Sequence, residues 1–381
     1  MKRRAAALVA AGMAAVAGFT QGPAPRAQQG GEPLTAAWER EVGEVAGLAI
    51  APEATQVAVI DGDGRIQCFA ADGTPRWTAA APGASRLAMA ALGRGLAAYA
   101  PASPLQTRIA LFGARGVPLA PVDAGGPIMS ATLSGGGDEL VAGTPAGIRW
   151  AWIGRGKRKA GSVPLPGAAR QVLPGPARSF YVALRGSGGA LRARRDGQIL
   201  WHAAFAGIQE AVIAPAADGH LVGVAEQLAP DQIRLELRRD DGELAWSAIW
   251  PGRLPRLRVL ANGAVLVLSY EQPEPHGAAT RYEHRVAYFR TDGGPRPRWA
   301  TGGAYTGASF FAGAAPDGSY VVSLDQEPRS GAMALRLVDA GGAKLARYVA
   351  RAPIRIAAAS EDGTRLAVYR ADGMLAMIRI R

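Results

Sequence analysis

Few residues in this chain could carry chemistry, and their spacing is unpromising for it. The four histidines are His202, His220, His276 and His284, with no pair closer than the last two and no His-x-x-His pattern among them. A zinc or calcium site needs a convergent set of imidazoles or oxygens, so a metal would have to be assembled from distant segments. Asp61-Gly62-Asp63-Gly64 has the opening of a calcium loop but not its later ligands or closing Glu, and reads as a turn. Cys68 is the single cysteine, which removes a disulfide framework and a Cys-built metal site. There is no Gly-x-Ser-x-Gly elbow and no phosphate loop ending in Lys-Ser/Thr. No catalytic, cofactor-binding or metal residue is therefore assigned, and no cofactor is expected. Whether the chain is an enzyme is left uncertain, with a non-catalytic role favoured.

Basic residues gather in two short runs, Arg155-Gly156-Lys157-Arg158-Lys159 and Arg192-Ala193-Arg194-Arg195, within a chain of net charge +12. Nucleic-acid binding would want a continuous basic face interleaved with aromatic platforms, so no nucleic-acid partner is expected and these runs read as solubilising charge. Hydrophobic residues at 49% of 381 exclude a wholly disordered chain. The 50 Gly and 27 Pro show no collagen-like period.

The elements that would position any site come from a repeat. Tight first turns recur at Ala216-Ala217-Asp218-Gly219, Ala261-Asn262-Gly263, Pro316-Asp317-Gly318 and Glu361-Asp362-Gly363. Weaker copies lie at Pro52-Glu53-Ala54, Leu92-Gly93, Gly135-Gly136-Gly137 and Pro174-Gly175-Pro176. A second turn at Gly73, Gly116, Gly156, Gly197, Gly242, Gly294 and Gly342 advances by 43, 40, 41, 45, 52 and 48 residues. Asp-Gly between apolar runs is a strong hairpin signal, because both residues tolerate positive φ. The intervening runs, such as Gln56–Ile60 and Arg365–Tyr369, are strand-length and bounded by turns. Four strands in about 44 residues is a propeller period. Alanine argues for helix, but turns at fixed spacing decide against it.

The last unit supplies three strands, and Leu34 to Val42 offers the fourth from the other end of the chain. The fold expected is all-β: an eight-bladed β-propeller of four-stranded antiparallel blades, closed by the N-terminal strand pairing into the last blade. Residues 34–381 number 348, or 43.5 over each of eight blades; seven blades is the alternative. Trp38, Trp77, Trp201, Trp246 and Trp299 recur at the blade-ending position and read as structural rings packed between blades. Trp150, Trp152 and Trp250 fall off that register.

Residues 1–27, a basic start followed by an alanine-rich apolar run, read as a signal peptide. Residues 28–33 read as a flexible leader and 34–381 as a single propeller domain, periplasmic or secreted, its oligomeric state left open with a monomer favoured. Membrane association enters only if the N-terminal segment stays uncleaved. Inserts lengthen the second-to-third strand connections around Gln106, Gln227, Glu271, Glu274, His276 and Gln326. These six residues form the candidate binding rim, since insertions on one rim are the usual binding decoration.

The ending Asp-Gly-x-x-x-Trp, as in Asp72-Gly73-Thr74-Pro75-Arg76-Trp77 and Asp196-Gly197-Gln198-Ile199-Leu200-Trp201, resembles the repeats of the pyrroloquinoline-quinone-like propeller superfamily. Its quinoprotein dehydrogenases carry a vicinal disulfide and calcium-binding acids, and the lone Cys68 cannot supply the disulfide. In size the chain resembles the eight-bladed periplasmic scaffold lipoprotein of outer-membrane protein assembly, though no cysteine ends its apolar run. The short Asp-Gly turns are also similar to WD40-like and Tol-type exported propellers. These resemblances imply a non-catalytic exported scaffold that binds a protein, peptide or cell-envelope component through its insert-bearing rim. The alternative is an enzyme, a lyase or hydrolase, with its site in the central funnel.

Overall fold

The computed structural model describes residues 32–380 apart from 104–106, 135, 154–158, 186–187, 206–210, 217, 261–262, 274–281, 306–310 and 327–332. The described chain contains no α-helix; it forms eight sheets, each built on four antiparallel strands, with a short fifth strand added to one of them. Blade 1 runs from Gly47–Ile50 to Pro75–Ala80, blade 2 from Arg86–Met89 to Pro118–Asp123, and blade 3 from Ser130–Leu133 to Lys159–Pro164. Blade 4 runs from Ala169–Gly175 to Ile199–Ala203, blade 5 from Val212–Pro215 to Leu244–Pro251, and blade 6 from Arg253–Leu260 to Pro297–Tyr305. Blade 7 spans Phe311–Ala314 to Lys344–Val349. First strands of successive blades neighbour one another and edge the central channel. Eight blades is therefore the count, and the seven-bladed alternative is not favoured.

Blade 8 holds Ile354–Ala359, Arg365–Arg370 and Met374–Arg379, and its fourth strand is Ala36–Glu41 from the start of the domain. Trp38 pairs with Met377, and Glu41 with Met374. One part of the sequence reading needs correction. Glu32–Pro33, expected in the flexible leader, form a short strand parallel to the outer strand of blade 7, with Glu32 opposite Ala346. Two residues carry too little pattern to be read as a strand; their pairing exists because Leu34 must already lie beside blade 7 to enter blade 8, and its N–H donates to Arg347 O at 2.7 Å.

The core is divided among the joints. Eight buried apolar clusters each sit between two neighbouring blades, such as Ala58, Ile60, Leu96 and Phe112 between blades 1 and 2, or Val322, Leu335, Leu366 and Ile378 between blades 7 and 8. Second strands are covered on both faces, and Gln56–Ile60, Glu139–Thr144 and Ser179–Leu184 are buried throughout. Outer strands such as Pro75–Ala80 alternate with solvent, as half-covered strands should. This explains the alanines: Ala58, Ala97, Ala142 and Ala367 are buried on second strands, where blades converge towards the channel and larger side chains would hold them apart.

Candidate functional site

The joints position everything else, and a repeated contact builds them. Trp38 Nε1 donates to Ala71 O of blade 1 at 3.0 Å, Trp77 to Ala114 O of blade 2 at 3.1 Å, and Trp201 to Asp240 O of blade 5 at 3.1 Å. Trp246 donates to Thr291 O of blade 6 at 3.3 Å and Trp299 to Ala340 O of blade 7 at 3.2 Å. Each indole thus reaches the third-to-fourth turn of the next blade. Four of the rings lie over that turn's glycine: Gly73, Gly116, Gly242 and Gly342 would each place a Cβ within 3.1 Å of a Trp atom. These glycines have φ between +74 and +91, so the turn and the ring make the same demand. The turn aspartates complete the device, with Asp72 Oδ1 accepting from Thr74 N at 2.9 Å and Asp241 Oδ1 from Glu243 N at 2.8 Å.

A tyrosine set, which sequence reasoning missed, does the same at the first-to-second turns. Tyr181 donates to Gly219 O at 3.0 Å, Tyr288 to Gly318 O at 2.9 Å, and Tyr320 to Gly363 O. Tyr369 donates to Gly43 O at 3.0 Å, across the closure. Burial pushes the Tyr320 hydroxyl up to about 12, with Asp362 and Asp317 adding to it. The signal was a Tyr on a second or third strand some 30 to 43 residues before a turn glycine, too irregular a spacing to stand out.

The closure carries its own polar lock. Arg370 is 2% exposed; its Nη1 donates to Glu39 Oε1 at 2.7 Å and to Tyr348 OH at 3.2 Å, and its Nη2 to Asp372 Oδ2 at 2.9 Å. Asp372, burial opposing, raises the guanidinium above its ordinary range, and the same hydrogen bond holds Asp372 below the usual carboxylate value. One guanidinium therefore joins blade 7, blade 8 and the N-terminal strand.

The candidate rim residues fall unevenly. Gln106, Glu274 and His276 lie outside the described residues. Glu271 stands on the second strand of blade 6 and pairs with Arg253 at 2.9 Å. Gln326 ends the second strand of blade 7, opposite Met333. Gln227 is a correction: it is 2% exposed, and its Nε2 faces Pro230 O, Gln232 O and Gly252 O at 3.1–3.3 Å. It braces the hairpin from within, because the carbonyls of an irregular connection need a donor. The second strands of blades 5 and 6 are the longest of the eight. Leu221–Ala229 and Val265–Pro273 have nine residues each, against five or six in the second strands of blades 1 to 4. At about 3.3 Å per residue, the second strands of these two blades run roughly 10 Å further than those of blades 1 to 4 and raise a wall of regular sheet on that rim. Trp250, off the blade-ending register, supports it from the outer strand of blade 5, edge-on to Tyr270 and Phe289 of blade 6 at 5.9 and 5.3 Å.

First strands contribute Arg86, Arg170, Arg253, Arg256, Arg258 and Arg355 to the channel wall and no carboxylate among the described residues. Burial, with Arg185 nearby, holds Arg170 below the ordinary guanidinium range. Cys68 is buried, donates to Gln56 Oε1 at 3.3 Å, and is pushed up to about 12 by burial, against a small pull from Arg76. Among the described residues no three His, Cys, Asp or Glu side chains gather as a metal site, and no helix is long and apolar enough to cross a membrane.

The fold and its joints define a class, the β-propellers with eight blades. No protein-family model matches the chain, and a search of curated proteins finds no match. Solved propellers match in shape. The C-terminal WD40 domain of Sif2 aligns with a TM-score of 0.70 at 9% identity, over 92% of this chain and 99% of that one. The Dos1 propeller gives 0.64 at 10%, over 91% and 95%, and Saccharomyces cerevisiae Sqt1 gives 0.64 at 9%, over 92% and 99%. At such identity the likeness shows the shared propeller fold alone.

Proposed function

We propose that this chain is a non-catalytic, exported propeller scaffold, periplasmic or secreted, that binds a protein or other cell-envelope component through the rim bearing the second-to-third hairpins. The observation that carries this reading is the raised wall of blades 5 and 6, where two adjacent blades depart from the repeat in the same direction. A repeat that served only to close a ring would have no use for longer strands on one side, and such departures are where propellers place contacts. The similarity in fold to WD40 domains supports the scaffold class without naming a partner. The basic N-terminal run supports export.

The test is a photocrosslinker placed at Glu271 on the wall and, as a control, at Asp362 on the opposite rim of the expressed chain. Adducts to a discrete partner from position 271 and none from position 362 are expected. Equal labelling from both, or none from either in cells that export the protein, contradicts the proposal. Mass spectrometry of the mature N-terminus tests export separately, with loss of residues before about position 28 expected.

A further inference from the structure

A cleft of about 870 Å³ opens between blades 3 and 4, on the rim of the first-to-second and third-to-fourth turns, opposite the raised wall. Trp150, Trp152 and Lys159 of blade 3 face Arg178, Arg194 and Arg195 of blade 4 across it. The two basic runs of the sequence thus supply Lys159, Arg194 and Arg195 to one place; positions 155–158 lie outside the described residues.

Three independent features mark this joint. The blade-ending Trp is missing: Gly161 holds that register position opposite Trp150, and the Trp150 ring lies over it, 2.7 Å from where a Cβ would stand. Trp150 Nε1 is buried without a hydrogen-bond partner, whereas the blade-ending indoles all donate across their joints. Arg195 stacks over the Trp150 ring at 5.0 Å and pairs with Glu139. Next, Ala177 and Arg178 are consecutive non-glycine residues at φ +53 and +57, a conformation that costs free energy and gathers at ligand sites. Finally, the charge is unbalanced. Lys159, Arg178, Arg194 and Arg195 line the cleft with Asp196 as the one lining carboxylate, its Oδ1 accepting from Gln198 N, and the buried Glu139, paired with Arg195, is within electrostatic reach of Arg178, so cations remain in excess.

The joint between blades 7 and 8 shows one way such a gap is filled. It too lacks the Trp, with Ala346 at the equivalent position, opposite Leu337, as does the joint between blades 2 and 3, where Leu119 stands opposite Leu111 without an added strand. Between blades 7 and 8 the chain's own Glu32–Pro33 adds a parallel fifth strand to the outer edge, Glu32 standing opposite Ala346. A smaller cleft of about 370 Å³ remains beside it, lined by Leu34, Thr35 and Tyr348. In blade 3 the outer strand Lys159–Pro164 is the last of its sheet, so the matching edge has no added strand.

We infer that the blade 3–blade 4 cleft binds an extended acidic peptide. The peptide adds as a fifth strand parallel to Lys159–Pro164, passing Gly161, with its carboxylates directed to Lys159, Arg178 and Arg194. Main-chain pairing supplies position, and charge-assisted hydrogen bonds supply selection. This site is separate from the raised rim and does not depend on it.

The experiment titrates the full chain, by fluorescence anisotropy, with a labelled short peptide alternating Val and Glu, and with the same peptide N-methylated at alternate residues. Binding of the first, weakened about tenfold or more by Arg178→Glu and by added salt, and loss of binding on N-methylation are expected. Lys159→Gln, on an exposed side chain, gives a second variant should Arg178→Glu fail to fold by circular dichroism. The inference is overturned if the unmodified peptide does not bind, or if folded variants bind as the parent does. It is also overturned if the N-methylated peptide or inorganic phosphate occupies the site equally well, which would make it a plain anion site.

Discussion

Arg370 and Glu39, 331 residues apart in sequence, share a 2.7 Å hydrogen bond beneath the outer strand of blade 8. The guanidinium is 3% exposed and the carboxylate 29%, so the pair is shielded from salt and its loss leaves a charge behind in a poorly hydrated place. Arg370→Leu and Glu39→Gln should both destabilise the ring. The cost expected is about 3 kcal/mol for Glu39→Ala, which strands part of the buried cation, and about 1 kcal/mol for Glu39→Gln, which keeps an acceptor. Urea unfolding of the two Glu39 variants checks the ranking.

The indole joints predict a second ranking. Trp201→Phe removes the donor to Asp240 O and should cost about 1 kcal/mol, while Trp201→Ala should cost about 3–5 kcal/mol. Gly242→Ala would set a Cβ 2.5 Å from the Trp201 Cβ at φ +91. Gly197→Ala has the same φ but nothing within 4 Å. The first substitution should therefore be the more damaging by about 1–3 kcal/mol, read from the difference in denaturant midpoint.

Relief of strain should separate stability from binding at the basic cleft. Arg178→Gly removes a left-handed conformation from a residue with a Cβ and should stabilise the fold by about 1 kcal/mol. The same change should weaken the acidic peptide, since it deletes a cation. A melting temperature that rises while affinity falls is the expected pair of results.

The ends of the pH range should act through different groups. Asp372, Asp72 and Asp317 are held below the usual carboxylate value, respectively by Arg370, Thr74 and Ser319. Depressed folded values mean stability that is present above about pH 4 and lost as pH falls. Cys68 and Tyr320 are both pushed up to about 12. Raised folded values mean stability present below the unfolded values, about 8.5 for the thiol and about 10 for the phenol, and lost as pH rises towards 12. Melting temperature should thus form a plateau that falls away at both ends. In the native chain at pH 8, a thiol reagent should leave Cys68 unmodified until denaturant is added.

Much of the ring was legible because the repeat writes it at fixed intervals. Asp72-Gly73 before Trp77 and Asp241-Gly242 before Trp246 gave turn, strand and blade end together, and a final unit one strand short pointed to residues 34–42, within which the strand is Ala36–Glu41. What escaped notice was whatever replaces the pattern. Trp150 moves the aromatic one strand inward onto Gly161, a swap visible once the register is known. Gln227 looked like a polar loop residue, yet it is buried because the hairpin's carbonyls need its amide. The cleft draws on two basic runs more than thirty residues apart, and their meeting depends on blade order, which no local spacing encodes. Gln326 and Glu271 carried a positional expectation that strand ends alone do not convert into a contact surface.

The claim on which the ring depends is that Ala36–Glu41 pairs antiparallel with Met374–Arg379. Directly opposed residues on such strands have Cα atoms about 4.5–5.5 Å apart, within disulfide reach. The double variant Glu41→Cys, Met374→Cys, oxidised in the native state and mapped by peptide mass spectrometry, should give one 41–374 disulfide in full yield and a raised melting temperature. Free thiols at both positions in the folded chain would contradict the closure.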